Sequence, residues 1–401
     1  MRLQDTFLRP EGFLRRKGLL GPEDFLRCIL LPFLASRAAL FLAGWFARDN
    51  FAPNPTYAEY ARRGYFLTRF FWVDMWAHWD AKWYLSIVQE GYRYSEPLTQ
   101  SYSNLAFFPL YPYLVRALIW PIPGGLKSEG LALLVGLVIS NACFLLAAWL
   151  IYRLALAAGG DPGAAKRTVE LLVVFPAGFF FSSFYPESLF LALTAGALWA
   201  AACRRWWLAG LLGLLAAVTR GQGLLIAAPL AWMYMQERRW QWRAIRPDVL
   251  WLALLPIGLL THLASLYQRT GDFLAPMRAQ AAWGRWGADW WSNLQLQLGG
   301  PGLDPFKLDF ALLVIFVLLT LAMFRRPAWR AFALYSFLLL ALPIATALFV
   351  SVSRYLAVVF PVFIYLGSIL KDGAPYQMVR AVSFGLQVVY FVGFVNYYWI
   401  A

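Results

Sequence analysis

Residues 130–152 read GLALLVGLVISNACFLLAAWLIY, and Arg153 follows at once. No charge interrupts the run, and a helix needs about 17–25 mainly apolar residues to cross a bilayer's hydrocarbon core. Working outward, comparable segments fall at 26–47, 168–185, 186–203, 206–219, 222–236, 249–268, 308–324, 329–350, 354–370 and 376–399, so about eleven spans are expected. The middle segments are short, which points to tilted, broken or re-entrant helices. Composition agrees, at 61% hydrophobic residues and a mean hydropathy of +0.56, beyond an ordinary soluble domain. The expected fold class is an all-α, polytopic membrane protein, with residues 1–401 forming one domain.

The net charge of +14 would suggest nucleic-acid binding in a soluble chain. Here the basic residues flank apolar segments, as they do on the cytoplasmic side of membrane proteins, and no nucleic-acid partner is expected. With the N-terminus inside, the inner segments hold 20 basic against 9 acidic residues and the outer ones 14 against 12. That asymmetry supports an inside N-terminus and, with eleven spans, an outside C-terminus. No cleavable signal peptide is expected, because residues 2–17 are polar and amphipathic and the first apolar run lacks a small-residue cleavage pattern. Cys28, Cys143 and Cys203 lie in or beside apolar segments and read as packing residues without a disulfide framework. Asn54-Pro55-Thr56 is blocked as a glycosylation acceptor by its proline, which favours a bacterial source.

Residues 1–25 form a basic arm on the cytoplasmic side. Residues 48–129 are the largest excursion and fall outside. Phe70, Phe71, Trp72, Trp76, Trp79, Trp83 and Tyr84 crowd this stretch, and a solvated linker would not carry them. Interfacial helices are expected there, over 80–90 and 106–120. Residues 269–307 form a second outside loop with Trp283, Trp286, Trp290 and Trp291.

The less common polar groups gather at the outer ends. Asp80, in His78-Trp79-Asp80-Ala81-Lys82-Trp83-Tyr84, is the first candidate for a general base. Its plain alternative is a cap on the following helix. Lys82 or Arg37 would lower its pKa and desolvation would raise it; Asp74 is the rival carboxylate. Glu187 follows Tyr185-Pro186, where a carboxylate suits a helix N-terminus; alternatively it accepts a hydroxyl or partners Arg220. Arg220 and Arg354 either snorkel to headgroups or clamp a phosphate with their planar forks. Gly221 and Gly223 would let backbone approach a ligand. Arg37 lies inside the first span, where a charge faces the protein interior, as a structural pair or near the substrate. His78, Gln222 and Tyr355 adjoin these groups and complete the candidate substrate-binding set. His78 and His262 supply no metal-ligand constellation, and no dedicated cofactor is expected. No Asp-x-Asp pair, P-loop or dinucleotide fingerprint stands out, which argues against a soluble nucleotide donor.

Trp79-Asp80-x-x-Trp83-Tyr84-Leu85-x-Ile87, Gly91-Tyr92 and Ala106-Phe107-Phe108-Pro109-Leu110-Tyr111-Pro112 resemble blocks of the PIG-V family. So do Phe175-Pro176-Ala177 through Phe190, Thr219-Arg220-Gly221-Gln222-Gly223 and Ser353-Arg354-Tyr355, in the family's order over roughly residues 30–365. That family contains the second mannosyltransferase of GPI-anchor assembly and belongs to the GT-C glycosyltransferases. The resemblance implies a multispanning enzyme that takes sugar from a polyprenyl-phosphate donor outside the cytoplasm, with its carboxylate in the first outside loop, where Asp80 stands. Eukaryotic members often carry His where this chain has Trp83, so a mechanism needing that imidazole cannot run here.

The expected function is an inverting, polyprenyl-phosphate-dependent glycosyltransferase, most simply a mannosyltransferase. It would act on a lipid-linked or cell-envelope glycan at the non-cytoplasmic face of a bacterial cytoplasmic membrane, or of the ER membrane in a eukaryote. Its partners would be the lipid-linked sugar donor, a glycan or glycolipid acceptor and the bilayer. The rival readings are a lipid-linked saccharide flippase, which would need a polar path through the membrane, and a non-catalytic subunit.

Overall fold

The computed structural model describes residues 21–94, 102–283, 289–299, 305–346 and 351–400. Most of the basic arm (residues 1–20), Trp286 and residues 347–350 of an expected span lie outside the described residues. The principal helices are α1 (Leu31–Asn50), α2 (Ala81–Glu90), α3 (Leu110–Ile119), α4 (Glu129–Ala157), α5 (Pro162–Val173), α6 (Glu187–Ala202) and α7 (Trp206–Thr219). They continue as α8 (Ala227–Glu237), α9 (Leu254–Thr270), α10 (Pro305–Phe324), α11 (Arg330–Thr346), α12 (Val352–Ala357), α13 (Phe360–Ile369) and α14 (Ala374–Val395). Among the described residues there is no strand.

Six helical segments are long and apolar enough to cross a membrane: Pro22–Asn50, Glu129–Ala157, Pro247–Thr270, Pro305–Phe324, Pro327–Ala345 and Ala374–Val395. α3, α6, α7 and α13 are apolar but shorter. The protein is therefore an all-helical, polytopic integral membrane protein. α6 packs between α4 and α7, and all its residues but Trp199 are buried. A helix buried all round needs no polar face, which explains why its sequence shows no amphipathic stripe.

Two expected spans are broken, both at prolines. The expected helix 168–185 ends at Val173, because Pro176 disfavours helical geometry in Phe175 before it. The chain then makes a tight turn of helix over Gly178–Ser182 and becomes extended at Ser183, and Pro186 leads into α6. The expected helix 354–370 is divided into α12 and α13, with Pro361 in the first turn of α13. Each break leaves a short, non-spanning stretch: the first leads directly into Glu187 at the start of α6, and the second leaves α12, which carries Arg354.

The first large excursion folds against the bundle. α2 and α3 pack on each other and on α4. The loop before α2 is organised by Asp74, whose carboxylate accepts the backbone N–H groups of Phe66, Leu67 and Thr68 at 2.8, 2.7 and 2.9 Å.

Candidate active site

Asp80 stands at the N-terminus of α2, yet its side chain does not cap that helix. The capping alternative is set aside, because the carboxylate turns to a distant partner: Asp80 Oδ2 accepts from Arg354 Nη1 at 2.9 Å. Tyr185 fixes the backbone around it, accepting the Asp80 N–H at 3.1 Å and donating its hydroxyl to the His78 carbonyl at 2.8 Å. Trp79, immediately before Asp80, has φ of 57°. Ser351, shortly before Arg354, has φ of 64°. Both members of the pair are thus introduced by a non-glycine residue in the left-handed region, a conformation that costs about 1 kcal/mol or more and persists where surrounding packing enforces it.

The pair continues into a chain of alternating charge. Glu187 Oε1 accepts from Arg220 Nη1 at 2.5 Å and lies 3.6 Å from Arg354 Nε. Two carboxylates and two guanidiniums are thus gathered where Asp80, Glu187 and Arg354 are all buried. Phe180 and Tyr185 cover the Arg354 guanidinium, and Phe190 and Tyr355 cover that of Arg220, which supports cations in a desolvated setting. Desolvating four charges is costly even when they balance. The chain is also incompletely satisfied: among the described residues, Glu187 Oε2, Ser353 Oγ and Arg354 Nε are buried without a hydrogen bond. Native proteins rarely leave such groups bare, and these belong to residues of the charge chain and its immediate neighbour. Tyr84 borders the cluster. Burial, with Glu187 next, holds its phenol well above its ordinary pKa, against the opposing pull of Arg220, so it is present as a neutral hydroxyl.

The structure therefore brings together Asp80, Glu187, Arg220, Arg354 and Tyr355, and Gln222 lies half-buried in the turn after Arg220. Other candidates go elsewhere. His78 faces away, with Nδ1 2.8 Å from the Phe394 carbonyl and Nε2 3.4 Å from Asp74 Oδ2, between stacked rings of Phe394 and Tyr397. It is a structural tie to α14 rather than a substrate group. Asp74 is saturated by backbone and His78, which disposes of the rival base. Lys82 is exposed and lies over Trp83. Arg37 is buried in α1 and, among the described residues, has no carboxylate partner: its three nitrogens donate to Ser182 Oγ, Ser36 Oγ and the Gly178 carbonyl at 2.6, 3.1 and 2.8 Å. Arg354, not Arg37 or Lys82, neutralises Asp80. The two glycines also serve the fold. A Cβ on Gly221 would meet the Phe108 ring at 2.9 Å, and one on Gly223 the Ala216 carbonyl oxygen at 2.2 Å, so close packing of the chain on itself requires them.

One residue behind the cluster carries no signal in the sequence. Asp309, buried near the start of α10, accepts the Ser353 N–H through Oδ2 at 3.1 Å and the Tyr390 hydroxyl through Oδ1 at 3.0 Å. It ties α10 and α14 to the start of α12, one residue before Arg354. An acid at the end of an apolar segment looks like an ordinary flank, and nothing local distinguishes it. Among the described residues no group of three His, Cys, Asp or Glu gathers to hold a metal ion.

Fold and site together define a polytopic membrane protein that holds a buried acid–guanidinium cluster between broken helices. The chain belongs to the mannosyltransferase (PIG-V) family, whose model matches residues 64–264. It is similar to the GPI alpha-1,6-mannosyltransferase 2 of Rattus norvegicus, 35% identical over 153 residues that make up 37% of this chain and 30% of the relative. The Homo sapiens protein of that name is 30% identical over 152 residues, covering 37% and 29%. The GPI mannosyltransferase 2 of Drosophila melanogaster is 28% identical over 116 residues, covering 28% and 24%. The similarity thus spans less than a third of each of these relatives. The family match includes Asp80, Glu187 and Arg220 and stops short of Asp309 and Arg354.

Proposed function

We propose that this protein is an inverting mannosyltransferase that uses a polyprenyl-phosphate sugar, works at the non-cytoplasmic face of its membrane and extends a glycan or glycolipid. The observation that carries the reading is the buried Asp80–Arg354 pair joined to Glu187 and Arg220, inside a chain of this family.

In this mechanism the acceptor hydroxyl approaches Asp80. Its oxygen forms a bond to the anomeric carbon while the bond from that carbon to the phosphate oxygen breaks. The hydroxyl proton passes to the Asp80 carboxylate, and the electron pair of the broken bond leaves with the polyprenyl phosphate. General-base assistance of this kind contributes about 10²–10⁴-fold. The leaving group is already a phosphate, so it needs positive charge rather than a proton, and Arg354 and Arg220 supply it. Arg354 cannot fully serve Asp80 and the phosphate at once. A donor phosphodiester that draws the guanidinium toward itself therefore also frees the carboxylate to act as a base. Anchoring donor and acceptor in one bilayer reduces the entropy of their encounter.

The test is purified protein in lipid with a labelled polyprenyl-phosphate mannose and a panel of acceptors, read by mass spectrometry of the product. Transfer per folded molecule that disappears in Asp80→Asn supports the reading. Transfer at wild-type rate in that variant ends it, and movement of the lipid-linked sugar across the bilayer without bond cleavage would favour a flippase.

A further inference from the structure

The end of the bundle away from the Asp80 cluster holds a cavity. It is an open cleft of about 750 Å³ between the N-terminal part of α1, α5 and the N-terminal part of α14. Three elements place it away from Asp80. α14 gives Arg380 to the cleft and, 14 residues on, gives the Phe394 carbonyl to His78, a rise of about 21 Å along a helix. α1 lines the cleft with Leu31, Ala35 and Ala39, whereas Trp45, nearer its other end, packs on Phe71 in the loop before Asp80. α5 lines it with Lys166 and Glu170, and the chain beyond α5 travels on to Tyr185 beside Asp80.

The lining has two characters. Arg27, Lys166 and Arg380 supply three cations against one carboxylate, Glu170. That carboxylate is already shared by Lys166 at 3.7 Å, Arg380 at 3.4 Å and the Tyr376 hydroxyl, so the cleft keeps an excess of positive charge. Arg27 is exposed and rides on the wide helical turn Leu26–Leu30, a rare bulge that is frequent at functional sites. Below the charges the wall is mainly apolar, built by Leu31, Pro32, Ala35, Ala39, Val174 and Phe384 with Ser36 among them. The cleft thus offers cations at a helix boundary and a greasy trough beneath them, and basic pockets between spanning helices suit anionic lipid headgroups.

We propose that this cleft is a binding site for an anionic phospholipid of the bilayer, with the headgroup phosphate on Arg27, Lys166 and Arg380 and an acyl chain along Ala35, Ala39 and Phe384. A free phosphate would satisfy the cations and leave the trough empty; a zwitterionic lipid would fill the trough but bring its own cation. The site is separate from the Asp80 cluster and stands whether or not that cluster transfers sugar.

The test uses the intact protein, stripped of lipid in detergent and titrated with phosphatidylglycerol, phosphatidylcholine or inorganic phosphate, with occupancy read by native mass spectrometry. Phosphatidylglycerol should be retained in preference to both others. Arg27→Gln with Lys166→Gln and Arg380→Gln should weaken that retention roughly 100-fold, from a contribution of about fivefold per basic side chain near an anionic surface. Because freeing Glu170 could itself unsettle α5, Ala35→Trp is the second variant: it fills the trough, leaves the charges intact and should also reduce retention. Equal retention of phosphatidylcholine, binding of phosphate as strong as that of the lipid, or wild-type retention in Ala35→Trp would overturn the proposal.

Discussion

Asp74 and Asp80 leave the same aromatic loop, both buried, and end in opposite situations. Asp74 spends its carboxylate on three backbone N–H groups of its own loop and on His78. Asp80 ignores the helix it begins and takes a guanidinium from a residue 274 positions away. The same contrast separates Arg37, whose donors are answered by Ser36, Gly178 and Ser182, from Arg354, whose Nε remains bare beside the bare Glu187 Oε2. A buried charge answered by its own backbone stabilises a fold. One answered by another side-chain charge, with unmatched atoms beside it, can exchange that partner for a ligand.

The comparison is broken most directly at the carboxylates. Asp80→Asn keeps size and loses the basic oxygen, so transfer per folded molecule should fall about 10³-fold, while Glu187, 3.6 Å from Arg354 Nε, still offsets part of the guanidinium charge that Asp80 no longer neutralises. Asp74→Asn should act on the fold instead. It puts an amide N–H₂ against N–H donors and should cost about 2 kcal/mol of stability, with the turnover of the remaining folded protein close to normal. Activity per folded molecule in the two variants decides the matter: if Asp74→Asn loses turnover as deeply as Asp80→Asn, the division between structural and reactive carboxylate fails.

The guanidiniums sharpen it next. Arg354→Lys retains a charge and loses the planar fork, so kcat/KM for the donor should fall about 100-fold, in the range seen when one donor to a developing anion is removed. Arg37→Lys should leave donor kinetics near wild type and lower stability instead, since the lysine cannot reach three acceptors at once. A donor-specific defect in Arg37→Lys would place that residue in the phosphate pocket after all.

Several of these assignments can be read locally and others cannot. The uncharged run at 130–152, the basic flanks and the proline after Tyr185 are properties of neighbouring residues, and the membrane class and the break before Glu187 follow from them. The gathering of Asp80, Glu187, Arg220 and Arg354 at one end follows from topology, and the Glu187–Arg220 partnership is one of three readings that a carboxylate at this helix start offers. The division of 354–370 was missed because Pro361 also suits the first turn of a helix, so the pattern does not distinguish a break from a start. The surroundings of His78 and Arg37 are hidden from the sequence for a different reason. Their partners, Phe394 and Ser182 with Gly178, are hundreds of positions or a whole helix away, and only packing reveals that their hydrogen-bonding capacity is used.

The smallest expected effect concerns Asp309, and it tests whether the reactive pair is held in place from behind. Its two oxygens accept from two donors, the Ser353 N–H and the Tyr390 hydroxyl, and α12 with Arg354 hangs from the first. Asn at this position offers one acceptor oxygen, so one donor must face an amide N–H₂ and α12 must shift. Tyr390→Phe is the milder change, removing one donor and leaving the Ser353 contact intact. If Asp309 positions Arg354, donor kcat/KM should fall about tenfold in Asp309→Asn and about twofold in Tyr390→Phe. The loss in Asp309→Asn should largely vanish when Arg354 is already Lys, because a side chain that no longer forks has little orientation left to lose. A double-mutant cycle on donor kcat/KM measures that coupling. A merely structural role predicts the other result: the two substitutions multiply, and Asp309 then matters only for holding α10 and α14 together.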